Sequence, residues 1–320
     1  MASLAQVEAL ATALYDSTTT NDQRSEAERQ LSVFSTDPAM LDTSRMILDQ
    51  SNQPYALHLA ASSLQKLMTS HWGRFSTQQR SDLRNHLLTL LAQKGPSMQV
   101  FVIVALVALL ARITKLGWFE NPDFSEVTKE VQQFLQASVD HCIIGLQILN
   151  EMASEMNINK TGQPLSIHRK KSVSFRDRSL LQMFQTSLQT LQNLLTGSMG
   201  TMTPAQDLKL REQGLKLCLA CLSYDFIGTL SDESTEDVGT VQIPTGWRSY
   251  IEDENTLGTL LQTFTSSQPA QSAQAMECIS QLSSVRRSLF PNQEARQAFL
   301  SRVLTAVVTI WLLAEQATLL

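Results

Sequence analysis

Apolar residues return at helical spacing along almost the whole chain, while strict apolar–polar alternation is scarce. A 3.6-residue period gives amphipathic helices and a period of two gives half-buried strands, so the pattern restricts the chain to an all-α fold. Leu4, Val7, Leu10, Ala11 and Leu14 make one face, and Asn21 or Asp22 can cap a second helix carrying Ala27, Leu31 and Phe34. Pro38 suits the first turn of a third helix ending near Leu48. Pro54 opens a fourth with Leu57, Ala60, Leu64, Leu67 and Met68 on one side. Ser76 or Thr77 caps a fifth, which Gly95-Pro96 ends. The sixth, Ser97 to Leu116, is apolar all round from Phe101 to Leu110, as expected of a helix covered on several sides.

Beyond Gly117-Trp118-Phe119, helices are expected over Ser125–Ala137, Val139–Met156, Asp177–Leu195, Ala205–Tyr224, Asn255–Thr265, Ala270–Phe290 and from Asn292 onward. Residues 157–174 and 227–252 are polar enough to read as loops. Helix pairs thus recur about every 40–50 residues, the period of HEAT or armadillo arrays. In such arrays each unit buries its apolar face against its neighbours. The expected architecture is an α-solenoid of about six antiparallel pairs plus a terminal helix. It divides into 1–116, 117–302 and a divergent apolar helix at 303–320.

Bulk properties narrow the function. The net charge of −5 disfavours a general nucleic-acid binder, which needs surplus Lys and Arg to neutralise phosphates. Cys142, Cys218, Cys221 and Cys278 are too few and scattered for a disulfide framework. The first residues lack a basic-then-apolar secretory design. Val100–Leu110 is about half the roughly 20 residues a membrane span requires. Val303–Leu320 is longer but broken by Thr305, Thr309, Glu315, Gln316 and Thr318, and it carries the alternative of a membrane-attached helical protein.

Catalytic signals are missing: no phosphate-cradling loop, no dinucleotide fingerprint and no nucleophile elbow. Cys218 and Cys221 have Cys-x-x-Cys spacing, but a structural zinc site wants a second ligand pair, and the pair lies in the apolar run Leu215–Leu222, where Cys fills core. Side chains of the neighbours His141 and Cys142 diverge by about 100° on a helix, which argues against a nucleophile–base pair. No cofactor, metal or catalytic residue is implied, and the chain is expected not to be an enzyme. Asn159-Lys160-Thr161 fits a glycosylation acceptor that has no secretory signal to use it.

Three features remain. Arg112, Lys115, Trp118 and Phe119 end the most buried helix, either as a favourable C-terminal charge pattern with a hydrophobic plug or as a partner-contact edge. Asp232, Glu233, Glu236 and Asp237 form a solvated acidic loop or meet a basic partner. Arg169-Lys170-Lys171 precedes Ser172 and Ser174, a possible phosphorylation site, a localisation patch or a plain charged loop.

Longer strings carry a resemblance. Ala111-Arg-Ile-Thr-Lys-Leu-Gly-Trp-Phe119, His141-Cys-Ile-Ile-Gly145, Ser174-Phe-Arg-Asp177, Asp225-Phe-Ile-Gly-Thr229, Thr240-Val-Gln-Ile-Pro-Thr245 with Trp247-Arg-Ser249, and Ser284-Val-Arg-Arg-Ser-Leu-Phe290 resemble the exportin-7 and Ran-binding protein 17 family of nuclear transport receptors, in the same order. Arg24-Ser-Glu-Ala-Glu-Arg-Gln-Leu31 is similar to the importin-β amino-terminal signature. The resemblance implies HEAT repeats that bind the small GTPase Ran in its GTP form, carry protein cargo in export, and meet nucleoporins while passing between nucleus and cytoplasm through nuclear pores. It places the Ran contact on the concave face lined by second helices, here Asp22–Phe34, Pro54–Thr69, Ser97–Lys115 and Val139–Met156, with Lys66, Arg112 and Lys115 as candidate contacts. Family members are much longer, so the resemblance is to an amino-terminal portion, and it fades from about Thr305. A short form that binds Ran or nucleoporins without transporting is the alternative.

Overall fold

A computed structural model describes residues 3–159, 163–225 and 241–318, with side chains as far as Thr309. Among the described residues seventeen α-helical segments follow one another, and the β contact consists of one isolated parallel bridge between Val241 and Val285. The described residues divide into two compact units, the first ending at Glu155 and the second beginning at Met156.

The first unit holds α1 (Leu4–Tyr15), α2 (Asn21–Leu31), the single turn α3 (Val33–Thr36), α4 (Leu41–Gln50), α5 (Pro54–His71), α6 (Thr77–Lys94), α7 (Val100–Gly117), the single turn α8 (Pro122–Ser125), α9 (Val127–Ala137) and most of α10 (Val139–Asn157). Ser3, Thr20 and Ser76 start α1, α2 and α6 with reciprocal capping boxes completed by Gln6, Gln23 and Gln79. Each box satisfies two of the amide donors that a helix start leaves open. The cap of α2 is therefore Thr20 rather than Asn21 or Asp22. Pro38 opens a short 3-10 turn, Pro38–Met40, that leads into α4.

Pairs α1–α2, α4–α5 and α6–α7 pack internally, and α5 and α7 lie side by side. Helix α7 is long and apolar enough to cross a membrane, with a mean hydropathy of 2.2, yet 72% of it is buried inside the protein. It is a core helix: Leu109 through Trp118 are all buried. Gly117 has to be glycine here, since a Cβ would sit 2.8 Å from the Phe124 ring. Gly145 lets α10 approach α9 in the same way, because a Cβ there would meet the Phe134 Cβ at 3.0 Å.

The second unit holds α11 (Leu165–Phe175), which runs through a π-helical turn (Arg176–Leu180) into α12 (Leu181–Leu195). It continues with α13 (Pro204–Leu222), the single turn α14 (Arg248–Ile251), α15 (Glu254–Ser266), α16 (Pro269–Ser283) and α17 (Gln293–Thr318). Helices α12 and α13 pack as one pair and α15 and α16 as another, with α13 against α16 and α12 against α15. That is the nearest-neighbour stacking of a helical repeat array.

Two sequence expectations change here. The stretch 157–174 is not a loop throughout, since α11 occupies Leu165–Phe175 and buries His168, Lys171, Ser172 and Phe175. Those positions follow i, i+3, i+4, i+7 spacing, but three of the four are polar, so no apolar stripe announced the helix. Helix α16 stops at Ser283 instead of reaching Phe290. The backbone of Arg286 and Ser284 is drawn into the bridge with Val241 (Val241 N to Ser284 O 2.9 Å, Arg286 N to Val241 O 3.1 Å), and a 3-10 turn, Arg287–Leu289, follows. Within 227–252, the acidic residues Asp232 to Asp237 lie outside the described residues. The described part is anchored by Trp247, buried and stacked on Phe184 at 5.4 Å. In α17, Val303 is buried while Leu304 is 65% exposed. The apolar side chains from Ile310 onward lie outside the described residues.

Candidate partner-binding face

The first unit presents an open groove between α5 and α7, about 640 Å³ in volume, lined by His58, Ser62 and Gln65 on α5 and by Val100, Phe101, Val104, Ala105 and Ala108 on α7 with Gln99 before it. The α5 residues recur at i, i+4 and i+7 and those on α7 at i, i+3/4 and i+7/8, so each set is one helical face. Because α7 is apolar on every side, the face that neighbours do not cover stays apolar in solvent. Val100 is 63% and Val104 55% exposed.

An aromatic cluster closes one end of the groove. Tyr15 stacks on Tyr55 with ring centres 5.5 Å apart, Tyr55 meets Phe101 at 5.8 Å, and the His58 ring stands edge-on to Tyr15 at 5.4 Å and to Phe101 at 5.6 Å. Burial holds the His58 imidazole below its ordinary pKa, so it is neutral near pH 7. The groove lining therefore carries no net charge. Exposed, ordered aromatic and aliphatic side chains with amides at the margin make a surface suited to apolar anchors of another protein. The three-helix cluster was not singled out from sequence, because Tyr15, Tyr55 and Phe101 are far apart in the chain and only α1, α5 and α7 packing brings them together.

Beyond the groove the same two helices hold a buried charge network. Arg112 on α7 donates Nε to Glu155 Oε1 at 2.8 Å, Nη2 to Glu155 Oε2 at 3.2 Å, and Nη1 to Thr69 Oγ1 of α5 at 3.1 Å. Lys115, fully buried, donates Nζ to the Glu155 backbone carbonyl and lies 3.9 Å from its carboxylate. One carboxylate thus gathers two cations and ties α5, α7 and α10 together. At the end of α7, Trp118 is buried and Phe119 exposed. Glu120 next to them accepts from Trp72 Nε1 at 2.7 Å and from Arg80 at 2.6 Å, while the Arg80 guanidinium lies 4.6 Å over the Trp72 ring.

Comparison with known proteins places this geometry in a lineage. The importin-beta N-terminal domain model matches residues 27–93. The chain is 40% identical over 312 residues to Exportin-7-A of Xenopus laevis, covering 96% of this chain and 28% of that protein. It is 39% identical over 312 residues to Ran-binding protein 17 of Homo sapiens, again covering 96% and 28%. Ran-binding protein 16 of Drosophila melanogaster is 39% identical over 314 residues, covering 95% and 28%. The chain belongs to the exportin-7 and Ran-binding protein 17 family. It spans little more than a quarter of the length of these relatives.

Among the candidate contact residues of this family member, the structure separates one from two. Lys66 is exposed on α5, one residue beyond groove-lining Gln65. Arg112 and Lys115 are brought together, but buried on Glu155, and their position makes them braces of the helix array. Ser172 is likewise buried, with its hydroxyl donating to the Met156 carbonyl at 2.5 Å, so a kinase reaches it only after α11 opens. Ser174 is half-buried on the same helix.

All four cysteines are buried and free. Burial pushes the Cys142 thiol up to about 11 and raises Cys221 further, while Cys278 donates its thiol to the Leu215 carbonyl at 3.7 Å. High pKa and burial make thiols inert, as core residues are. Among the described residues no cluster of His, Cys, Asp and Glu is arranged to hold a metal.

Proposed function

We propose that this chain binds the small GTPase Ran in its GTP form and serves nucleocytoplasmic protein export, moving between cytoplasm and nucleus by way of nuclear pores. The observation that carries the reading is the α5–α7 groove, an exposed apolar face beside a region similar to the importin-beta N-terminal domain, in a chain whose relatives are named exportins and Ran-binding proteins. Phe101 and Val104 are its central anchors and Lys66 a charge at its margin. Its work is binding rather than catalysis. Protein cargo and nucleoporins are the further partners, and the net charge of −5 argues against nucleic acid.

The groove is built from α1, α5 and α7 alone. A chain limited to these repeats would therefore keep a Ran contact, and the second reading is a scaffold that holds Ran or nucleoporins without completing transport. A Phe101→Glu/Val104→Glu double variant tests the groove. Buried apolar anchors dominate such interfaces, so the variant should bind Ran-GTP at least about thirtyfold more weakly, about 2 kcal/mol, while circular dichroism shows it still folded and thermal unfolding falls only by the loss of the Phe101 contacts to Tyr55 and His58. Lys66→Glu should change affinity only a few-fold, and more at low salt than high. Full binding by the double variant would remove the groove from the site.

A further inference from the structure

Of the residues lining the α5–α7 groove, His58 alone can change its charge near neutral pH. Its imidazole is set into a closed circuit of rings. Tyr15 and Phe101 each meet it edge-on, Tyr55 bridges those two, and neighbouring ring centres lie 5.4, 5.5, 5.6 and 5.8 Å apart. Nδ1 is enclosed and has no hydrogen-bond partner, while Nε2 lies 3.5 Å from the Ser62 hydroxyl. The neutral ring tolerates this with its proton on Nε2 and Nδ1 left as a bare acceptor. Protonation turns Nδ1 into a donor with nothing to receive its proton, and places a charge among rings that have displaced its water.

The surrounding helices bring no charge to offset it. On α1, Tyr15 is a phenol whose pKa burial raises, the Asp16 carboxylate accepts from the Thr18 amide and hydroxyl, and Glu8, about two turns away, accepts from Ser51. On α5 the nearest groups are the Tyr55 phenol and Lys66, about two turns on. Helix α7 has no charged residue from Val100 to Ala111, and Arg112 beyond is bound to Glu155. Helix α3 has none, and Asp42, Arg45 and Asp49 of α4 make no bond to the ring. Burial accordingly lowers the His58 pKa, against a smaller pull from the Phe101 backbone. A base whose pKa is lowered in one conformation favours the other as the pH falls. The ring regains its ordinary value, near 6.5, when it reaches water, and that requires Tyr15 and Phe101 to part. We propose that protonation of His58 opens this ring cluster and withdraws Phe101 from the groove, so that the groove, taken as the Ran-GTP contact, holds Ran at neutral pH and releases it in acid. The closed cluster is fully favoured above the open-state pKa and is lost as the pH falls below it. An imidazolium is also attracted to ring faces, and dominance of that effect would appear as tighter binding in acid.

The test measures the affinity of the full chain for Ran-GTP at about pH 7.5 and about pH 5.5, beside a His58→Asn variant, each protein compared with itself so that titration of Ran cancels. One group with an ordinary pKa in the open state supplies at most about a tenfold change over that range. The expected loss on acidification is therefore about three- to tenfold larger for the wild-type chain than for the variant. Nuclear Overhauser contacts between the Tyr15 and His58 rings, followed in the free wild-type chain, need no variant and should fade at the lower pH while helix content by circular dichroism is kept. Equal losses in the two proteins, tighter wild-type binding in acid, or ring contacts intact at the lower pH would each overturn the proposal and leave the Ran reading standing. No binding of Ran-GTP at either pH by the folded chain would remove that reading and the proposal with it.

Discussion

Truncating Glu155 to alanine is expected to destabilise the first unit by about 3–5 kcal/mol, the cost of leaving buried charge without its partner. Glu155 is buried and is the carboxylate facing both Arg112 and Lys115. Without it, Arg112 and Lys115 lose the carboxylate they share, while Lys115 keeps the backbone carbonyl of residue 155 and Arg112 its bond to Thr69. A buried pair is not itself strong evidence of stabilisation, because desolvation offsets much of the attraction. The prediction therefore has a second arm: Glu155→Leu combined with Arg112→Leu and Lys115→Met should recover much of the loss. Urea unfolding followed by hydrogen exchange on α7 and α10 measures both. A single variant within about 1 kcal/mol of wild type would mean that water or another group compensates the cations.

Trp247→Ala is expected to cost the second unit about 3–5 kcal/mol, the usual range for a large aromatic removed from a packed core. Trp247 is buried in a short 3-10 turn and stacks on Phe184, itself fully buried in α12. The cavity would lie against the α12 side of the unit, so protection of α12 and α13 amides should fall while α5 and α7 remain protected. Equal losses in both units would show that they unfold as one cooperative block.

Which parts were legible from sequence follows from what the buried surfaces are made of. Helices α5, α6 and α7 bury Leu, Ala, Val and Ile at regular spacing, so their limits lie within a few residues of the periodic pattern, with Pro54 and Gly95-Pro96 as punctuation. Helix α11 was illegible because its inward stripe is His168, Lys171 and Ser172, and burial of polar groups leaves no hydrophobic period. Helix α16 reads as continuing to Phe290 because Val285, Leu289 and Phe290 are apolar and buried, but they serve a backbone bridge and a 3-10 turn. Arg112 and Lys115 drew attention as cations at the end of an apolar helix and as candidate Ran contacts, and in the structure both are buried against Glu155. Their partner, Glu155, lies some 40 residues away, and a distant buried carboxylate is invisible to local pattern. The groove was half legible: an all-apolar α7 implies cover on several sides, yet nothing in its sequence says which side is left open.

The most direct test of the account is a calorimetric titration of the intact chain with Ran loaded with GTP and, in parallel, with GDP. The account predicts saturable binding to Ran-GTP, at least about tenfold weaker or absent with Ran-GDP, and loss of the GTP-form signal in the Phe101→Glu/Val104→Glu variant. Equal affinity for the two nucleotide states, or no binding to either by a chain shown to be folded, would contradict it.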